Sequence, residues 1–392
     1  MMLLYFRNIS VCSLLTATVL LAVGGCTLPW ESDDIFLDVP PVNLARARQD
    51  AVVVLHQAAE DDLASNRFVA IEAIPAALGK KGSPICKQAL GDPSPEVRIA
   101  AALGIGDLRY AGAKEKLLAM AKYKTAGAER DARAYCAVIY ALHQLGDESY
   151  TTELGSLLFD REKEVKATAA IVMGKMKLKA AILPLKSALA DERDHDLKLE
   201  LTRALARCGE KSSLRRLEAH TRDQFVDEQI IAVNTMLELR SPMCRAIFSS
   251  LFANDKSPRV KTVAAGGLAS LRHETSELFL YCVKAALEPE TVMVEALDAG
   301  AKPTEKQITF LQSLATTAVG NFKHPQALDV VGKLLKSPRV AVRVAAAAAM
   351  IKALPKLRGN PIIINKKVQA GSKIQPKPVV NRPKLHTAGA KD

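Results

Sequence analysis

Apolar residues along most of this chain recur at the three-to-four spacing of an α-helix, and the helices so marked recur about every 32 residues. The helix opening at Val165 has the apolar face Val165, Ala169, Val172, Met173 and Met176. Leu197, Leu201, Ala204, Leu205 and Cys208 repeat it, as do Val260, Ala264, Gly267, Leu268 and Leu271. Second helices of successive pairs are expected to open near Val97, Ala132, Val165, Leu197, Glu228, Val260, Ile308 and Val340. The longer step before Ile308 marks an insertion at about 288–305. First helices are expected at 182–189, 214–220, 279–287 and 327–335, and a weaker pair at 44–63 and 67–78 reads as an N-terminal cap. Pro93, Pro95, Pro258 and Pro338 fall at the turns, where proline starts a helix without losing a needed donor. Small pairs such as Ala101–Ala102, Ala169–Ala170 and Ala264–Ala265 suit close approach of stacked backbones.

A charge register accompanies the apolar one. An acid precedes the anchor by five positions and a base follows it: Asp92 with Arg98, Asp160 with Lys166, Glu192 with Lys198, Asp255 with Lys261. Such an acid can cap the helix that follows and meet a base of its own or the adjoining repeat, so stacking is expected to give a ladder of ion pairs. Each exposed rung contributes about 0–1 kcal/mol, and apolar burial holds the fold. The register has exceptions. Glu228 stands where an apolar anchor belongs, Gln229 replaces its base, the Ile308 repeat lacks both charges, and Ala132 has Arg133 but no acid.

These segments resemble the HEAT repeat in its short bacterial form. The run Asp92-Pro93-Ser94-Pro95-Glu96-Val97-Arg98 carries the family's turn acid and Val-Arg pair. The run Val165-Lys166-Ala167-Thr168-Ala169-Ala170, ending Met173-Gly174, carries the small residues and the glycine. Ser-Pro-Arg-Val occurs at both 257–260 and 337–340. The resemblance spans about 44–354 and implies an all-α fold, a right-handed α-solenoid of helix pairs. It also implies a scaffold that binds a protein along its concave face, where Lys166, Lys198 and Lys261 are candidate contacts.

Composition places the charge outside this body. Formal net charge is +12, from 54 Lys+Arg and 42 Asp+Glu. Residues 355–392 hold nine bases and one acid, so the helical body is close to neutral, which disfavours nucleic acid as partner. In that tail Lys366, Lys367, Lys373, Lys377, Arg382 and Lys384 alternate with Pro376, Pro378 and Pro383. It reads as a disordered, extended cationic segment able to meet anionic lipid or cell-wall polymer, or acting only as a solubilising tail.

The N-terminus reads as an address. One charge, Arg7, precedes an apolar stretch at 11–23, followed by Val23-Gly24-Gly25-Cys26. Small residues before a cysteine resemble a bacterial lipoprotein signal with its lipobox. The resemblance implies a signal peptide at 1–25, cut by a peptidase that recognises Val23, Gly24 and Gly25. It implies a diacylglycerol thioether and further acyl chain on Cys26, and a membrane anchor in the cell envelope, with Thr27 favouring the outer membrane. An ordinary secretory leader or an uncleaved anchor are the alternatives. Residues 26–43 form an acidic, proline-bearing tether with the only tryptophan, Trp30.

Catalytic chemistry is not expected from the sequence. His56, His143, His195, His220, His273, His324 and His386 are scattered with no metal-binding spacing, and Asp194-His195-Asp196 reads as a solvated inter-helix turn. No nucleophile elbow or phosphate loop appears. The expectation is therefore a non-enzymatic lipoprotein scaffold without metal or cofactor beyond the acyl chain. The alternatives are a HEAT-like enzyme of lyase or glycosylase type, or a tether working through its tail.

Overall fold

The structure, a computed structural model, describes residues 37–122, 131–297 and 301–354. The leader with Val23, Gly24, Gly25 and Cys26, most of the tether, and the basic tail from Lys366 to Lys384 lie outside the described residues. Among the described residues every regular element is helical, and no helix is long and apolar enough to cross a membrane.

The helices, in chain order, are α1 (Leu44–Ala59), α2 (Ala64–Leu78), α3 (Ser83–Ala89), α4 (Pro95–Leu108), α5 (Lys114–Lys122), α6 (Ala132–Gln144) and α7 (Glu153–Leu157). Then follow α8 (Lys163–Met176), α9 (Ile182–Asp191), α10 (His195–Arg207), α11 (Lys211–His220), α12 (Val226–Glu238) and α13 (Cys244–Asn254). The row ends with α14 (Pro258–Ser270), α15 (Ser276–Leu287), α16 (Pro289–Ala296), α17 (Glu305–Val319), α18 (Ala327–Leu334) and α19 (Val340–Ala353). The all-α solenoid of helix pairs is thus present. Helices α4, α8, α10, α12 and α14 open two residues before their anchor positions, and in α4 and α14 Pro95 and Pro258 take first-turn positions, where a missing N–H costs nothing. The insertion is the short helix α16 and the segment leading to Thr304, whose capping box with Gln307 starts α17.

The second helices pack side by side in sequence: α2 on α4, α4 on α6, α6 on α8, α8 on α10, α12 on α14, α14 on α17, and α17 on α19. Small residues set this spacing. A Cβ on Gly174 of α8 would lie 2.8 Å from the Ala204 Cα of α10, and one on Gly266 of α14 would lie 2.7 Å from the Ala318 Cβ of α17. Between α10 and α12 backbone contact is sparser, and polar side chains bridge instead. Arg203 Nε donates to Thr235 Oγ1 at 2.9 Å, and Arg207 makes a forked pair with Glu238 at 3.1 and 2.6 Å.

The row also closes on itself. The last helix, α19, packs on both α1 and α2. Gln326 clasps the Leu37 backbone, accepting its N–H at 3.0 Å and donating to its carbonyl at 3.1 Å. The Asp329 carboxylate accepts from Val42 N–H at 2.8 Å, and Val42 fills the space left by the missing side chain of Gly332. The first pair is therefore not a solvent-facing cap, as its weak repeat character suggests. It is the neighbour of the last repeat. The second helices are correspondingly buried on most sides, and the run from Glu228 to Leu237 in α12 is buried throughout. The long exposed concave face expected for partner binding is not formed by this stretch.

Five cysteines, Cys86, Cys136, Cys208, Cys244 and Cys282, are buried free thiols. Burial pushes Cys86 up to about 12 and Cys208 and Cys244 up to about 11, so all three are protonated core residues at neutral pH.

Candidate metal centre

The turn acids organise the edge from which the second helices start. Asp92, Asp160, Glu192 and Asp255 each accept a backbone N–H two residues on, from Ser94, Glu162, Asp194 and Ser257 at 2.7–2.9 Å. They close the turns rather than cap the helices. The caps are other acids: Asp131 takes the N–H of Ala134, and Asp194 that of Leu197. Where rungs form, the acid meets a side chain of the preceding repeat. Arg67 makes a fork to Asp92 at 2.8 Å, Lys166 reaches Glu192 at 3.5 Å, and Gln229 Nε2 donates to Asp255 at 3.0 Å. Arg67 holds the Asp92 carboxyl below its usual range. Arg98 donates to the Asp92 and Pro93 carbonyls and reaches Asp131 at 3.4 Å, while Arg133 turns to Glu96 and Asp131. Among the described residues Lys198 and Lys261 form no ion pair.

The missing Lys198 rung leads to the site. By the register, Lys198 should meet the next turn acid, Asp223, which precedes Glu228 as Asp92 precedes Val97. Asp223 instead faces two imidazoles. His195 is the first residue of α10 and His220 the last of α11. Asp223 lies in the turn between α11 and α12, its Oδ1 accepting the Phe225 N–H at 3.3 Å. Glu228 lies on the first turn of α12.

One ligand atom from each of His195, His220, Asp223 and Glu228 lies within 4.8 Å of the others. His195 Nε2 and His220 Nδ1 are each 3.5 Å from Asp223 Oδ2, and His220 Nδ1 is 3.9 Å from Glu228 Oε2. These separations are long for hydrogen bonds and close to the roughly 3.4 Å between ligand atoms placed tetrahedrally about 2.1 Å from a zinc-like ion. The fourth contact differs: His195 Nδ1 lies 2.6 Å from Glu228 Oε2, an ion-pair contact shorter than the other three. The Phe225 ring stands edge-on to His195 at 5.8 Å and the His220 ring at 5.7 Å.

Burial grades across the cluster. The Glu228 side chain is 2% exposed, those of Asp223 and His220 14% and 16%, and that of His195 48%. Burial pushes the Glu228 carboxyl above its usual value and the His220 imidazole below its own, which keeps His220 neutral and able to donate a lone pair. The adjacent Glu228 carboxylate raises His195. The donor set, two imidazoles and two carboxylates, is that of first-row divalent ions.

Two sequence expectations are corrected here. His195 is not simply part of a solvated turn. Asp194 caps α10 and pairs with Lys163 at 2.6 Å, while His195 joins side chains of the following repeat. With a metal-capable cluster assembled, the premise of a chain without catalytic or metal chemistry fails, and the non-enzymatic reading falls with it. The cluster escapes sequence inspection because its histidines come from different repeats. Its one local signal is the carboxylate at the anchor position, Glu228.

A HEAT-repeat family profile matches residues 52–136 and 127–206. No curated protein matches the chain. Among solved structures, human deoxyhypusine hydroxylase in complex with glycerol is similar at 12% identity and a TM-score of 0.33, over 80% of this chain and 99% of that one. The CpcE–CpcF complex of phycocyanin lyase from Nostoc is similar at 18% identity and a TM-score of 0.31, over 63% of this chain and 91% of that one. An engineered protein is similar at 17% identity and a TM-score of 0.27, over 88% and 98%. Likenesses this distant carry no activity across. The helix pairs of this chain form a HEAT-repeat-type α-solenoid.

Proposed function

We propose that this chain is a metal-dependent enzyme built on a HEAT-type solenoid, with a divalent first-row ion held among His195, His220, Asp223 and Glu228. The observation that carries the reading is the convergence of two imidazoles and two carboxylates at one inter-repeat junction. An ion there supplies Lewis-acid polarisation or an activated water. The residues themselves do the rest. Burial keeps His220 unprotonated, Asp223 supplies charge at the solvent edge, and Phe225 walls one side of His195. HEAT-repeat solenoids as a class suit protein binding, which makes a protein the first substrate class to test. The test is calorimetric titration of the metal-free full chain with Zn2+. One saturable equivalent is expected, lost in His220→Ala and Asp223→Asn. A wild-type chain that takes up no ion sinks the proposal.

The leader supports an envelope address for this enzyme, with lipidation at Cys26 and the basic tail near an anionic surface. Growth with an alkynyl palmitate should label the wild type and not Cys26→Ser, and an unlabelled wild type refutes the anchor. Adsorption of the full chain to anionic vesicles should weaken steeply with salt if the tail contributes.

A further inference from the structure

The four side chains of the cluster are not equivalent, and their differences assign roles within the metal site proposed above, on which this inference rests. His195 presents its two ring nitrogens to two different carboxylates. Nδ1 lies 2.6 Å from Glu228 Oε2, while Nε2 faces Asp223 at 3.5 Å. An imidazole with one nitrogen held against a buried carboxylate offers the other nitrogen to an ion. Asp223 Oδ2 stands at the same 3.5 Å from His220 Nδ1, so it is the common neighbour of both free imidazole nitrogens. Glu228 is set apart: it is the most buried of the four and further from His220, and its Oε2 lies closest to His195 Nδ1.

We propose that Glu228 is a positioning residue that fixes His195, and that His195 Nε2, His220 Nδ1 and Asp223 alone ligate the ion, leaving coordination positions open to an anionic exogenous ligand. The assignment explains why one repeat gives up its apolar anchor. At Val97, Val165, Leu197 and Val260 that position is buried hydrocarbon, with no chemistry to perform. At Glu228 a carboxylate occupies the same buried place and finds its partner in the imidazole of the preceding repeat. Two imidazoles and one carboxylate on an ion leave open positions, as in catalytic rather than closed structural sites. They would face the half-exposed His195, beside Phe225.

The test is Co2+ titration of the metal-free full chain followed by visible absorption, with azide as the exogenous probe. Glu228→Gln keeps an acceptor for the Nδ1 proton. It should bind Co2+ with wild-type ligand-field bands and an affinity lowered by no more than about 10–100-fold, and Glu228→Leu, which has no acceptor, should lose more. Asp223→Asn should shift the bands or abolish binding. Azide should perturb the wild-type and Glu228→Gln spectra alike. Circular dichroism checks that each variant is folded, and if Glu228→Leu is not, Glu228→Gln decides. Bands in Glu228→Gln that move as they do in Asp223→Asn would make Glu228 a ligand and overturn the assignment, as would a wild-type spectrum indifferent to azide. A wild-type chain that binds no Co2+ would instead remove the metal reading itself.

Discussion

The bridge between α10 and α12 is the place to test whether buried charge here is structural. Arg203 forms a pair with Glu200 on its own helix, Nη1 lying 2.6 and 2.7 Å from the two carboxylate oxygens. The side chains are 8% and 10% exposed. Replacing Arg203 with Met leaves the Glu200 carboxylate buried without its main partner, a loss of about 3–5 kcal/mol for such pairs. Two features place the expected cost near the lower end of that range. Thr235, which loses the Arg203 contact, keeps its own hydrogen bond to the Ile231 carbonyl at 2.8 Å. Arg207 already feels the Glu200 charge, although its fork is committed to Glu238. The single variant should therefore cost about 3 kcal/mol, and Arg203→Met with Glu200→Leu should return to within about 1 kcal/mol of wild type or exceed it. Repeat arrays do not guarantee a single unfolding step, so the readout is native-state amide exchange of α10 and α12, which gives local opening free energies. A single variant costing less than about 1 kcal/mol, or a double variant no better than Arg203→Met, would refute the claim that Arg203 and Glu200 are balanced against each other.

Other perturbations probe separate parts of the fold. Gly174→Ala gains about 1 kcal/mol of helix propensity but drives a methyl group to 2.8 Å from the Ala204 backbone, where overpacking costs about 1–3 kcal/mol. It should lower the melting temperature, whereas Gly155→Ala, with open space around it, should not. Asp92→Asn should cost about 1.5–3 kcal/mol at pH 7. The Asp92 carboxyl is held low by Arg67, so its contribution is present above the unfolded value of about 4 and lost as pH falls through the lower folded value. Denaturation midpoints of wild type and variant should therefore converge in acid, and a gap that persists below pH 2 would contradict this. Gln326→Ala with Gly332→Val should free the 37–42 segment to proteolysis while amide protection of α6 and α8 is retained. Equal loss of protection everywhere would show that closure is not a separable contact.

Local patterns carried the helices and not their long-range consequences. The apolar faces and the prolines at 95 and 258 locate the second helices within a turn, because helix phase and proline placement are properties of a few neighbouring residues. Which repeat a turn acid pairs with is not local. Asp92 could meet Arg98 or Arg67, and only stacking selects Arg67 for the ion pair. Closure of α19 on α1 and α2 depends on small rotations summed over every repeat, which no window of sequence contains. The cluster lies between these cases. Its two acids hold places in the repeat register, Glu228 at the anchor and Asp223 at the turn, and could have been flagged together as an anomaly. The two histidines could not, since their meeting requires the end of α11 to reach the start of α10.

The packing of α19 against α1 and α2 changes the statistics of unfolding. A linear array has two free ends, each repeat there is held by a single interface, and thermal fraying proceeds inward one unit at a time. In a cyclic array each unit has a neighbour on both sides, so the first unit to open breaks two interfaces at once and every later one breaks a single interface. The nearest-neighbour coupling energies are unchanged, but the boundary term vanishes. Amide exchange should then show no gradient of protection rising from the outermost helices to the middle of the chain. Removing the cyclic boundary requires undocking α19 from α1 and α2, whereas the Gln326 and Asp329 clasp governs only the 37–42 segment.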